Sequence, residues 1–442
     1  MPRPSLSVRD TVALIVGTVI GVGIFSTPSP VAFFGGSEVV VVLAWLAGGL
    51  ISLLGAVCYA ELTSSYPHPG GDYHFLHRAY GPRLAFLFGW ARISVIQPGS
   101  IALLAFVLGD YVVTLLPLGE FGSAIWAALA IALLTGINVL GIRHSKTTQN
   151  IFTVLEVLGV LLVAAAGLMV DPVRSAGAST AAVTPSGLGL MMVFVLFTYG
   201  GWNEAAYVSA EVRDPSRNMV RALVLSIVLV TVLYVGLNLV YLRGLGLQGT
   251  AASQAVAADL MARAMGPAGA GVMALLVAIA AFTSANASVL TGARSAFALG
   301  RDAPAFRFLG HWNAGTGTPA NAVLAQGAVA LALVLLGALT RHGFKTMVEY
   351  TAPVFWFFFL LTVASLIVLR RSDPKRPRPF RVPGYPVTPL VFCGVAAYLL
   401  YSSVRYAGVG AVVGLAVLAT GVLVMCLTAG RTAGPNPGDL ST

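Results

Sequence analysis

Two glycine pairs interrupt otherwise apolar runs. One is Ile20-Gly21-Val22-Gly23-Ile24-Phe25; the other is Phe197-Thr198-Tyr199-Gly200-Gly201-Trp202-Asn203. Glycine lowers helix propensity by about 1 kcal/mol against alanine and admits backbone angles that other residues resist. A helix unwound at such a pair frees N–H groups at the start of one half and carbonyls at the end of the other. The amides attract an anion such as a carboxylate, helped by the helix dipole. The carbonyls accept from an ammonium or hold a cation. One break thus offers both poles that an α-amino acid needs. The competing reading is tight helix packing, because small residues are common where membrane helices touch. Two breaks at matching places in two halves of a chain weigh against it.

Carboxylates inside apolar runs are the next candidates, because an ionisable group in a membrane segment is costly and marks function by default. Glu156 follows Phe152-Thr153-Val154-Leu155 mid-way along one run. It must be protonated, bind a cation, or pair with a base such as Arg92. Burial favours the neutral form of a carboxyl, which suits reversible protonation. Glu204 directly follows the second break and is read as a contact for a cationic substrate side chain, a structural group or a gate. Glu61 and Glu211 fall near run ends, where pairing with loop arginines is expected.

Other chemistries find no support. The histidines, His68, His74, His77, His144, His311 and His342, are expected in loops, and no two have zinc-helix spacing with a flanking acid. No GxxxxGK[ST] phosphate loop occurs, which argues against ATP-driven transport. Ser26, Ser100 and Ser288 have no histidine partner within the apolar runs, so nucleophilic catalysis is not expected and the chain reads as no enzyme. Cys58, Cys393 and Cys426 lie in apolar runs and are read as buried small side chains, with no metal and no disulfide framework.

The elements that must position these residues are membrane helices. The chain has 442 residues, of which 57% are hydrophobic and 10% charged, with mean hydropathy +0.86. Soluble proteins carry about 25% charged residues, so a soluble enzyme is excluded. A span needs about 20 apolar residues, and twelve spans are read: roughly 11–34, 39–65, 84–116, 122–142, 148–170, 187–211, 219–243, 267–300, 319–340, 346–370, 386–405 and 407–429. Helices rather than strands are implied, since ten-residue alternation is missing. The net charge of +10 does not indicate nucleic acid, because the basic residues are scattered between apolar runs. Arg78, Arg83, Arg143, Arg217, Arg301, Arg370 and Arg431 belong to the richer side and Arg174, Arg243, Arg263 and Arg341 to the poorer one. That bias puts both termini in the cytoplasm. No cleavable signal peptide is expected, because the run from Thr11 to Phe34 is too long for one. Residues 67–82 read as a structured connection, 255–264 as a short surface helix and 370–389 as an extended loop rich in Pro and Arg. The C-terminal residues from Arg431 read as disordered.

The motifs together resemble the amino acid–polyamine–organocation (APC) transporter superfamily, and within it the L-type amino acid transporter branch. Gly21-Val22-Gly23-Ile24-Phe25 resembles the GxGIF signature of helix 1. Tyr59-Ala60-Glu61-Leu62, Pro67, Pro69-Gly70-Gly71 and Tyr73 resemble helix 2 and its re-entrant loop, and Gln97-Pro98-Gly99-Ser100 a helix 3 motif. Gly200-Gly201-Trp202-Asn203, Glu211, Asp214-Pro215 and Arg217-Asn218 resemble the helix 6 signature. Asn286-Ala287-Ser288, Arg294, Arg301-Asp302 and Thr318-Pro319 resemble the helix 8 to helix 9 segment.

The resemblance implies an all-α integral membrane protein of 12 transmembrane helices with a leucine-transporter-type 5+5 inverted repeat. The repeats would cover 11–170 and 187–370, with two additional helices in 386–429, all within one transporter domain over 1–442. It implies alternating access around a site between helices 1, 3, 6, 8 and 10. By position, the substrate carboxylate meets the amides near Val22, Gly23 and Ile24. The ammonium meets carbonyls of Val19, Phe197 and Gly200; Ile20, Gly21, Gly201 and Glu204 complete the surround, and Trp202 and Asn203 shape the side-chain pocket. Ser100, Phe355 and Phe359 are further pocket candidates. Many L-type relatives carry Lys where this chain has Glu156, close to the broken first helix. The reversed charge points to proton coupling through Glu156, with a static role or sodium binding by Thr283 and Ser284 as alternatives. Cationic members carry their acid one place earlier, where this chain has Asn203. A disulfide-linked heavy chain is typical of animal members, but the loop Leu115–Gly122 has no Cys to form that bond. The expected activity is secondary active transport of neutral L-amino acids, by proton symport or exchange, in a bacterial inner membrane and without a cofactor. The alternatives are a cationic amino acid or polyamine antiporter, and a transporter-like amino acid sensor.

Overall fold

The computed structural model describes residues 4–173, 185–253, 255–340, 343–406 and 409–428. The expectations for Arg174, Arg341, His342, Arg431 and the C-terminal tail lie outside the described residues. The described residues are helical almost throughout. The first predicted span is three pieces: α1 (Val8–Val19), α2 (Gly23–Ser26) and α3 (Pro28–Gly35). Next come α4 (Glu38–Ser65) and a short helix, α5 (Asp72–Tyr80). The rod Pro82–Leu115 joins α6 (Pro82–Ala91) to α7 (Gln97–Leu115) through one π-helical turn, Arg92–Ile96. Then follow α8 (Gly122–Leu140), α9 (Ile142–Met169) and α10 (Pro185–Thr198), which breaks into a 3-10 helix, Trp202–Glu211. The rest are α11 (Pro215–Ala252), α12 (Val256–Met265), α13 (Ala268–Asp302), a 3-10 turn (Pro304–Gly310), α14 (Ala320–Thr340), α15 (Gly343–Ser372), α16 (Val387–Tyr406) and α17 (Val409–Thr428).

Among the described residues, 9 helices are long and apolar enough to cross a membrane. The reading of twelve exceeds this for a physical reason. The first and sixth predicted spans are split at their glycine pairs, and neither half alone has a span's length. The last offers only the shorter apolar stretch Val412–Cys426.

Local chemistry sets the helix ends. Ser7 and Asp10 form a capping box at α1: Asp10 N–H donates to Ser7 Oγ at 3.3 Å, and Ser7 N–H to Asp10 Oδ2 at 2.9 Å. The π-turn lies just before Pro98, whose ring and missing N–H disturb the preceding helical turn. The apolar stretch of α13 is 67% buried and that of α8 only 28%. So α13 is central, packed on α7, α9 and α1, while α8 presents Leu129 and Leu133 outward. A lipid-facing surface exposes apolar side chains at no cost in a bilayer. The same logic corrects the cysteine expectation: Cys58 is buried, Cys393 half-buried and Cys426 exposed. The histidine expectation is corrected too, for His74 and His77 lie in α5 and His144 in the first turn of α9. The connection after α4 and the segment after α11 are structured as expected, forming α5 and α12.

Candidate functional site

The two breaks lie side by side. α1 stops at Val19, Ile20 leaves helical geometry with ψ 78°, and helix resumes at Gly23. α10 stops at Thr198, and Gly201 opens the 3-10 segment at φ +110°, a left-handed conformation that favours glycine. A Cβ on Gly201 would stand 2.9 Å from Thr18 Cγ2 and 3.0 Å from the Thr18 carbonyl oxygen. A Cβ on Gly23 would meet Thr198 Cγ2 at 3.1 Å. The Thr27 and Thr198 hydroxyls share a hydrogen bond of 2.7 Å.

Tyr234 of α11 joins the breaks. Its buried hydroxyl lies 2.7 Å from the Val19 carbonyl oxygen and 3.2 Å from that of Thr198 and donates to this pair. Both are helix-end carbonyls of the kind that unwinding strands. Val19 O also accepts from Gly21 N–H at 2.7 Å, and Phe197 O from Gly200 N–H at 3.1 Å. Ile20 and Ile24 are fully buried, whereas the Phe197 side chain is 51% exposed. Trp202 is buried in an aromatic nest, its ring 5.2 Å from Tyr59, 5.8 Å from Phe359 and 5.9 Å from Phe392. Phe355 stacks on Phe359 at 5.3 Å. Asn203 is buried, and its Nδ2 has no hydrogen-bond partner among the described residues.

The α9–α13 face borders the first break. Thr153 Oγ1 donates to Ala13 O at 2.9 Å and Ser284 Oγ to Gly17 O at 3.1 Å. Thr283 turns its hydroxyl to Ile279 O within its own helix, at 2.8 Å. Of the two hydroxyls singled out, only that of Ser284 bonds to the break. Glu156 is buried, and neither carboxyl oxygen has a hydrogen-bond partner among the described residues.

Arg92 is not the partner of Glu156. It sits in the π-turn, where Nη2 donates to Glu204 Oε2 at 2.6 Å and Nε to Ser295 Oγ at 3.1 Å. Thr291 also donates to Glu204, and the guanidinium carbon lies 3.8 Å from the centre of the Tyr207 ring. Beside this cluster Asp72 is buried and accepts from Tyr59 Oη at 3.1 Å. Burial pushes the Asp72 carboxyl up to about 7; Arg92 opposes the rise and Glu204 adds to it. Two neighbouring histidines, His68 and His74, stack with centroids 4.2 Å apart. Burial pushes His68 down to about 4 and His74 lower still, so both are neutral at pH 7.

Two ion pairs hold helix ends together. Glu61 of α4 takes Arg370 Nε at 2.7 Å, Arg370 Nη2 at 2.5 Å and Val382 N–H at 2.6 Å. Glu211 takes Arg294 through both oxygens, with Nη2–Oε2 at 2.9 Å. The expected loop partner for Glu211 is thereby corrected. The 3-10 segment ends against α13, so a helical arginine lies nearer than any loop.

A family profile for amino acid permeases matches residues 6–429. The chain belongs to the amino acid permease family. The permease is similar to the large neutral amino acids transporter small subunit 2 of Mus musculus. They are 32% identical over 442 residues, covering 96% of this chain and 81% of the relative. It is also similar to the b(0,+)-type amino acid transporter 1 of Homo sapiens, 30% identical over 413 residues, covering 91% and 83%. The permease is therefore a multi-pass membrane transporter of amino acids, and not an enzyme. Two of its polar residues, Asp72 and Tyr234, are not legible as site residues in the sequence, and a third, Arg92, is legible only in part. Arg92 was visible as a base within a span, but not its true partner. Asp72 sat in a polar connection that hid its burial. Tyr234 bonds backbone carbonyls, which leave no mark on the sequence.

Proposed function

We propose that the permease carries neutral L-amino acids by alternating access, and that protons drive it through Glu156. The observation that carries the neutral reading is the pair Arg92–Glu204. The acid next to the second break is already met by a buried guanidinium and the Thr291 hydroxyl, so it has no spare charge for a cationic side chain. The name of one relative, a large neutral amino acids transporter subunit, points the same way; that of the b(0,+)-type relative does not decide.

In this reading the substrate carboxylate takes the amides at Val22, Gly23 and Ile24. The ammonium takes carbonyls at Val19, Phe197 and Gly200, with Ile20 beside them and Gly21 and Gly201 leaving room. Val19 O carries two donors in the present conformation, so an ammonium docking there displaces the Tyr234 hydroxyl. Asn203 offers its spare amide N–H to the substrate, and Trp202 with Phe359 bounds the side chain. Burying an unpaired charge costs far more than burying the neutral acid, so Glu156 holds a proton here and releases it when the first helix moves. Thr283 and Ser284 are left to packing and to the break, and no sodium or other cofactor is required. The scaffold is twelve spans, with repeats at 11–170 and 187–370 and two added helices at 386–429. Both termini lie in the cytoplasm of a bacterial inner membrane, and no disulfide-linked heavy chain is attached.

The test is uptake of labelled amino acids by proteoliposomes, empty or preloaded, with and without an inward proton gradient. The reading expects leucine-like substrates to accumulate in empty vesicles when the gradient is imposed, and arginine and putrescine not to. Glu156→Gln should remove the gradient's effect. Uptake only into preloaded vesicles would make it an exchanger, and arginine uptake would overturn the neutral reading.

A further inference from the structure

Where α15 ends and the chain runs towards α16, residues 370–381 read RRSDPKRPRPFR, six basic residues to one acid. Pro374, Pro377 and Pro379 restrict this loop, so its side chains are held in place at little further entropic cost. Within it lies a hollow of about 170 Å³, open on one side and lined by Arg370, Pro374, Arg378 and Arg381.

The arginines differ in what they have left to give. Arg378 is spent: Nη2 donates to Leu369 O at 3.1 Å and Asp373 O at 2.9 Å, Nη1 to Arg376 O at 3.1 Å, and Nε stands 3.4 Å from Glu61. Arg370 gives Nε and Nη2 to Glu61, which leaves Nη1 over. Arg381 is exposed and has no ion-pair or hydrogen-bond partner among the described residues. The acids nearby are neutralised. Glu61 is buried beneath Arg370 and the Val382 amide, and Asp373 pairs with Arg78 at 3.3 Å and accepts from Tyr66 Oη at 3.1 Å. Three guanidinium groups against one buried carboxylate leave the hollow strongly positive.

We propose that this hollow binds a phosphate group, with Arg381 and the spare nitrogen of Arg370 as its donors. Arginine forks match phosphate oxygens in geometry as well as charge. The hollow lies where an apolar helix ends at Ser372, the level at which phospholipid headgroups sit, and basic hollows at such places take anionic lipid. A soluble phosphate offers the same oxygens, so the two sources have to be separated by experiment.

The experiment uses the whole permease in detergent, with native mass spectrometry and thermal melting as readouts. The probes are dioctanoyl phosphatidylglycerol, dioctanoyl phosphatidylcholine and inorganic phosphate. The variants are Arg381→Ala and, as an equal loss of charge outside the hollow, Arg371→Ala. Phosphatidylglycerol is expected to form a defined one-to-one adduct and raise the melting temperature. Arg381→Ala should weaken that binding about tenfold, the size of one charge-assisted contact, and Arg371→Ala by less than twofold. Stabilisation by inorganic phosphate without phosphatidylglycerol binding would assign the site to a soluble phosphate. Equal weakening by the two variants, or no preference for either phosphate probe over phosphatidylcholine, would overturn the proposal.

Discussion

Arg92 and Glu204 show how costly one side chain becomes in a dry interior. Removing one partner of a buried ion pair strands the other charge, at about 3–5 kcal/mol. Arg92→Ala is therefore expected to lower the melting temperature sharply. Replacing both residues, as in Arg92→Met with Glu204→Leu, should recover most of that loss, and a double-mutant cycle on the purified protein reads the difference. Asp72 gives a second test. Its ordinary value is 3.8 and its folded value about 7, so between them the folded state holds the extra proton. Stability falls as pH rises through that window. His68 is shifted down, to about 4, and its contribution runs the other way below about 6.5; His74 behaves alike. The unfolded histidines still titrate at the lower end of the interval from pH 6.5 to 7.5 and oppose the Asp72 slope, so Asp72 is read from the difference between two proteins. The melting temperature of the wild type should fall relative to that of Asp72→Asn as pH rises across that interval; parallel slopes in the two proteins would remove Asp72 as the cause.

At the scale of elements, the broken helices were legible because two such pairs recur, one in each predicted half; a pair alone is no mark of a break, since Gly48-Gly49 lies within the unbroken α4 and packs close to Val195 and Thr231. The inequality of the two breaks was not legible. Gly201 needs a positive φ, and a methyl group there would press on the Thr18 carbonyl. Gly21 has no such need, and its Cβ would stand 3.6 Å from Ser284 Oγ, an ordinary contact. Gly201→Ala should cut uptake at least about tenfold, equivalent to 1.4 kcal/mol, while Gly21→Ala keeps most of it at matched expression. Similar losses in both variants would mean that the two breaks serve alike. The Tyr234 bridge makes a related prediction. Tyr234→Phe removes the hydroxyl that Thr198 O and Val19 O share; Val19 O keeps the Gly21 N–H, and the loss at Thr198 O is worth about 1–3 kcal/mol. Its uptake and melting temperature should both fall, whereas packing alone would be preserved.

Over the whole molecule, hydropathy and charge were enough to place nearly every long helix, since length and apolarity are what a bilayer demands. The sequence could not show how the carboxylates were shared among the bases. Glu61 and Glu211 each lie far along the chain from their partners, Arg370 and Arg294, and only the packed bundle selects those pairs over the other arginines nearby. Arg294→Ala strands Glu211, which is 2% exposed, and should destabilise by about 3–5 kcal/mol in thermal melting.

One contact has a mechanical meaning. Ser5 and Leu6 N–H groups both reach Glu211 O at 2.8 Å, and Arg213 N–H returns to Leu6 O at 2.9 Å. The same two elements meet again where Gly201 abuts Thr18. A plate held by one pin swivels, and a plate held by two does not. The first half-helix and the 3-10 segment are thus pinned at both ends, so that a turn of either one carries the other with it. A reporter dye or affinity handle fused ahead of Ser5 would sit on that joined pair and report on both segments at once.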